Sequence, residues 1–136
     1  MPIVVEAVSV DKFNSWVASQ KKVQLAEAAG ADKTWTKAEL MDKGKQVYGQ
    51  CIACHGASGQ GVPNVFPALK GSKIALGPVN DHLNMVMNGK PGTAMQAFAR
   101  QLSDVDIAAL VTYERNSFGN NTGDIVQPSA VKALRK

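Results

Sequence analysis

The chain's two cysteines stand three residues apart with a histidine directly after the second, in Cys51-Ile52-Ala53-Cys54-His55. Two thiols at that spacing near a helix end can reach the two vinyl groups on one edge of a porphyrin, and the next residue then presents its imidazole to the iron. The motif therefore reads as a covalent attachment site for c-type haem. A structural zinc site would need four ligands, and beyond these three the chain offers only His82, without a second paired cluster. A thioredoxin-like redox pair belongs in a β-α-β pattern that is missing around Cys51. A disulfide between the two would close a trivially short loop and add little stability.

Composition fits a domain built around a cofactor. The 136 residues are 45% apolar, enough for one modest core, but only 6% are aromatic and 12 are glycine. A bound porphyrin would supply the apolar bulk that the side chains lack. The 15 Lys and Arg exceed the 11 Asp and Glu without forming an arm or dense patch, which argues against nucleic-acid binding. No apolar run approaches the roughly 18 residues of a membrane span. The opening MPIVVEAVSV has Glu6 and no basic residue ahead of its apolar run, so it does not read as a signal peptide.

Hydrophobic spacing predicts a mainly helical chain. Ile3, Val4, Val5, Val8 and Val10 suggest a short strand without a partner. Residues 11–30 follow as a helix in which Trp16 packs on a neighbour. Thr36 and Glu39 form a capping box, with Trp35 and Leu40 placed as a hydrophobic staple, for a helix reaching about Gln50. Gly44 in its middle predicts close approach of another helix. Residues 56–77 read as a glycine-rich loop wrapping something apolar, and 80–89 as a short helix with Leu83, Val86 and Met87 inward. Ser103 and Asp106 cap a last strong helix, with Ile107, Leu110, Val111 and Phe118 on its buried side and Gly119 as its stop. The tail after Asn120 reads as polar apart from a turn of helix near residues 130–134.

Sulfur or a second imidazole could complete the iron's coordination. Met95 is favoured: it sits in Gly92-Thr93-Ala94-Met95, a loop with no helical face to serve and small residues that permit close approach. Met85 and Met87 read as core, and His82 as a solvated or capping residue. The second ring nitrogen of His55 should donate to a backbone carbonyl, with Pro67 as the candidate. Tyr48 and Leu69 are further candidates for contact with the cofactor.

Three stretches make the chain recognisable: CIACHGASGQ at 51–60, FPALKG at 66–71 and GKPGTAMQAF at 89–98. Together with TYERNSFGNNTGD at 112–124, the chain resembles the class I cytochromes c. It looks most like the cytochrome c domain fused to the C-terminus of subunit II of some bacterial haem-copper cytochrome c oxidases. The resemblance covers roughly residues 36–128. It implies the all-α class I cytochrome c fold around one haem c, here with an extra N-terminal helix, and thioethers at Cys51 and Cys54. It also implies axial ligation by His55 and Met95, and a crossing of the helices around Gly44 and Tyr113. It divides the chain into 1–10, an unstructured remnant of a copper-binding domain, 11–34, a helical linker, 35–120, the cytochrome domain, and 121–136, a tail. Met1 would match a copper ligand, but the other copper ligands are absent.

Iron closed on both sides binds substrate poorly, so one-electron transfer, rather than catalysis by this domain itself, is the expected activity. Under the resemblance, electrons arrive from a cytochrome c or an upstream reductase and leave for the dinuclear copper centre of the same subunit. The domain would lie on the periplasmic side of a bacterial membrane, itself uninserted and monomeric. A free-standing cytochrome c is the near rival. A peroxidase would need a readily vacated sixth position, and a redox sensor an output domain.

Overall fold

Position Gly44 organises the architecture. In the computed structural model, which describes residues 6–135 and only the backbone of 23–29 and 31, two helices cross there with their backbones in contact. These are α2, Lys37–Tyr48, and α6, Asp104–Asn116, and theirs is the most extensive contact between elements. Both begin at the expected capping boxes, Thr36 with Glu39 and Ser103 with Asp106. Each such cap satisfies otherwise orphaned N–H groups, and losing its side chain typically costs about 1 kcal/mol.

Around this crossing lie α3, Ile52–His55, α4, Lys73–Leu76, α5, Val79–Asn88, and α7, Pro128–Leu134. The core joins Val47 of α2, Leu83 and Met87 of α5, Ile107 and Leu110 of α6, and Val131 of α7. Among the described residues there is no strand, only an isolated bridge between Val62 and Phe66. The fold is all-α, with irregular chain between α3 and α4 and between α5 and α6. Arg115 fastens the end of α4: buried on α6, it donates to the Ala75 and Gly77 carbonyls and to Asp124. Asn120 extends the clamp, accepting from Gly71 N–H and donating to the Leu69 carbonyl.

Several expectations need correction. The N-terminal strand does not form in its described part: Val8 is outside any element and Val10 begins α1, Val10–Ala31, capped by Ser9. Met1 and Ile3 to Val5 lie outside the described residues. Trp16 does not pack into a neighbour; it is 57% exposed beside Phe13, at 51%. The end of α1 is what docks, where the Gly30 carbonyl accepts from the Trp35 indole. Helix α6 stops at Asn116, before Phe118, which turns back through a positive φ of 63° onto Tyr48 and Tyr113. The tail is not merely polar, because Val126, Pro128 and Val131 are buried and α7 packs on α6. Thr112 holds it there by accepting from Val126 N–H.

Candidate functional site

One helical turn assembles the attachment motif. His55 N–H donates to the Cys51 carbonyl at 2.9 Å and Cys54 N–H to the same oxygen at 3.2 Å. Residues i, i+3 and i+4 of such a turn share a face, so Cys51, Cys54 and His55 all border one cavity. Gly56, at φ 76°, ends the turn and lets the chain double back. The cavity holds about 390 Å³ and is mainly apolar, with Leu69, Val86, Phe98 and Leu110 in its walls.

The imidazole is held by its far nitrogen. His55 Nδ1 donates to the carbonyl of Pro67, singled out above, at 2.9 Å, which leaves Nε2 as the atom able to bind a metal. Pro67 and Leu69 both border the cavity. Tyr48 does not: its ring stacks with Tyr113 and Phe118, and its hydroxyl donates to the Gly56 carbonyl at 2.6 Å. It supports the attachment turn from behind, because facing the α2–α6 crossing directs its ring away from the cavity.

A second segment brings the sulfur. After α5 the chain reverses at Gly89, and Lys90 N–H closes on the Met95 carbonyl at 3.0 Å. Thr93 Oγ1 donates to the Lys90 carbonyl at 2.8 Å and accepts from Met95 N–H at 3.2 Å. Phe98 N–H and Ala99 N–H then bond back to α5. Met95 is thereby fixed on the cavity wall, half-buried. Met87 is buried in the core as expected, whereas Met85 is on the cavity wall instead, half-buried.

His82 requires the largest correction. It is buried, and its Nε2 lies 2.8 Å from Oε2 of Glu114, with both residues on the cavity wall. Position alone suggested a helix-start histidine in solvent, but α5 turns that face against α6. Glu114 has no local pattern that marks it, because one acidic residue in a helix carries no signal of burial. Burial, reinforced by the Glu114 and Cys54 charges, pushes the Cys51 thiol up to about 12.

The site fits a haem. Two free thiols on one turn, an imidazole oriented through its other nitrogen and a thioether from a separate loop meet at one apolar hollow. Among the described residues, no helix is long and apolar enough to cross a membrane.

Comparison with known proteins agrees. Residues 39–113 match the family model "Cytochrome C oxidase, cbb3-type, subunit III". The chain is 31% identical to the cytochrome c subunit of alcohol dehydrogenase (quinone) of Gluconobacter oxydans, over 88% of this chain and 28% of that one. It is 32% identical to cytochrome c-554(548) of Halomonas halodenitrificans, over 52% of this chain and 87% of that one. Against the cbb3-type cytochrome c oxidase subunit CcoP of Azospirillum brasilense the identity is 33%, over 65% and 32%. The chain thus spans less than a third of the dehydrogenase and oxidase subunits and most of the Halomonas cytochrome. With its attachment motif inside the matched region, the chain belongs to the cytochrome c family, the electron carriers that hold haem c covalently.

Proposed function

We propose that His55 and Met95 are the axial ligands of a haem c tethered at Cys51 and Cys54, and that the domain passes single electrons to the dinuclear copper centre of a terminal oxidase. When bound, the haem supplies a one-electron Fe(III)/Fe(II) couple. The observation that carries the ligand assignment is the convergence of the oriented His55 imidazole and the Thr93-braced Met95 on one cavity. The His55 ring is held through Nδ1, and the Met95 backbone by Thr93 and Lys90, so the site opposes the ligand loss that substrate binding would require. Thioether ligation favours the ferrous state relative to two imidazoles, and the apolar walls add to this.

The oxidase reading draws on the cbb3-type family match and the subunit II resemblance. The mouth of the cavity suits a partner that docks by apolar contact. Val65, 65% exposed, and Ile74 lie on its wall, and Ile52 beside Cys51 is also exposed. Among the described residues Lys90 is the only lysine on its wall, so association should change little with salt. The haem-attachment chemistry and the oxidase reading support a location on the periplasmic side of a bacterial membrane.

The Halomonas cytochrome, matched over most of its length, favours a second reading as a free-standing carrier. Stopped-flow mixing of reduced protein with an isolated dinuclear copper domain decides between them. Rapid transfer, little altered between low and high salt, is expected, and no transfer would leave the free carrier. Spectra of the matured protein test ligation. The wild type should be low-spin and slow to bind carbon monoxide, and Met95→Ala should lose the far-red methionine charge-transfer band. Rapid carbon monoxide binding by the wild type would overturn the ligand assignment.

A further inference from the structure

The His82–Glu114 pair on the cavity wall has no part in thioether attachment or axial ligation. Both side chains are almost fully buried, at 3% and 4% exposure, and their neighbours Leu83, Val86, Leu110 and Val111 are apolar and buried too. A pair of well-packed hydrophobic residues in such a place is often as stable or more so. Packing therefore does not explain why α5 and α6 carry an imidazole and a carboxyl here.

Hydrogen bonding assigns the proton. Nδ1 of His82 is buried, and no group of the described residues reaches it. An imidazolium would leave an Nδ1–H there without a protein acceptor. A protonated Glu114 donating to Nε2 would do the same, since the imidazole's own hydrogen would then sit on Nδ1. Only a neutral imidazole with its hydrogen on Nε2, donating to an ionised Glu114, avoids an orphaned buried donor. The pair then carries one net negative charge.

Among the described residues, no Lys or Arg is in ion-pair contact with that charge, and His82 is the only partner in such a contact with Glu114. The adjacent Arg115 is committed to the Ala75 and Gly77 carbonyls and to Asp124. The other titratable groups on the wall are Cys51, Cys54, His55 and Lys90, and Lys90 is exposed. The field of Glu114 reaches the attachment turn, where it adds to the effect of burial on Cys51.

We propose that Glu114, oriented by His82, supplies a buried negative charge that favours the more positive, oxidised state of the cofactor and so lowers the domain's reduction potential. His82 is the positioning residue: its Nε2–H fixes the carboxylate, and its burial keeps water from screening it. The inference rests on a haem occupying the cavity and does not depend on which residue is the sixth ligand.

Redox titration of the matured holoprotein tests it, with Glu114→Gln and Glu114→Asp beside the wild type. The glutamine variant keeps an oxygen that can accept from His82 while removing the charge. At a fixed applied potential its ferrous-to-ferric ratio should rise about tenfold, equivalent to a midpoint about 59 mV higher. The aspartate variant keeps the charge and should stay close to wild type even if it is less stable. A Glu114→Gln ratio within about twofold of wild type, or an equal shift in Glu114→Asp, would overturn the proposal, because a purely structural role lowers stability without following the charge. Visible spectra of the same samples judge ligation separately. A wild type that is not low-spin would sink the His55/Met95 assignment, while the midpoint comparison still decides the role of Glu114.

Discussion

Substituting Gly44 with alanine sets two physical effects against each other with opposite signs. Helix propensity alone predicts stabilisation by about 1 kcal/mol, since alanine replaces glycine in a helix interior. The crossing predicts the reverse. A Cβ at position 44 would stand 2.2 Å from the Ala109 carbonyl oxygen and 2.6 Å from Tyr113 Cβ, where ordinary contact begins near 3.4 Å. The first obstacle is backbone, which cannot rotate away, so α2 and α6 must part by about an ångström and loosen the Tyr48–Tyr113 contact. Overpacking costs about 1–3 kcal/mol, and a backbone obstacle belongs at the upper end. Less the propensity gain, a net loss of about 2 kcal/mol follows. For a domain of this size that corresponds to a fall in Tm of roughly 8 °C. Thermal unfolding followed by circular dichroism measures it, with Gln46→Ala, at an exposed site on the same helix, as the control expected to move stability by no more than about 0.5 kcal/mol. A Gly44→Ala protein melting at or above the wild-type temperature would refute the close-crossing argument.

Gly89→Ala should disturb the sulfur loop, because position 89 has φ 65° and its Cβ would lie 2.4 Å from the Met95 carbonyl oxygen; the far-red methionine band should weaken while the haem stays covalently attached on a denaturing gel. Arg115→Met leaves the Ala75 and Gly77 carbonyls without their donor and should cost about 2–4 kcal/mol in urea unfolding, mostly from those two oxygens. Acid should weaken the fold through two aspartates. Burial opposes ionisation of Asp106, but Lys43 and Ser103 outweigh it and hold its carboxyl below the ordinary 3.8, and Arg115 does the same for Asp124. Their folded values are depressed, so the stability they contribute is complete above the unfolded value and is lost as pH falls from there through the folded values. Asp106→Asn should therefore flatten the loss of unfolding free energy below about pH 4, measured by urea titration across that range.

The parts of the fold legible in the sequence were those with local causes. The capping boxes at Thr36 and Ser103 mark their helices because their hydrogen bonds span only three residues. The attachment turn was legible for the same reason, since one helical turn sets the relative positions of Cys51, Cys54 and His55. Gly44 announced a crossing because a helix interior gives glycine no other benefit. What escaped depends on partners far away in the chain. His82 meets Glu114 across 32 positions, and Trp35 meets Gln127 across 92, so neither has a local pattern to betray it. The Asp124 to Gln127 segment looked polar because Val126 is buried by a single hydrogen-bonded register with Thr112, too short for any periodicity. Trp16 shows the opposite case: its spacing with Phe13 is regular, yet both rings stay exposed and the helix docks at its Gly30 end instead.

The Trp35–Gln127 pairing has a mechanical consequence. Trp35 N–H donates to the Gln127 side chain at 2.9 Å, and that side chain donates back to the Trp35 carbonyl at 2.9 Å, while the indole holds the end of α1. None of these residues lies on the cavity wall. Load applied through the first helix thus enters the closing helix at a junction off the cavity wall, so a pull on α1 bears on that junction and not directly on the wall that carries Cys51, Cys54, His55 and Met95.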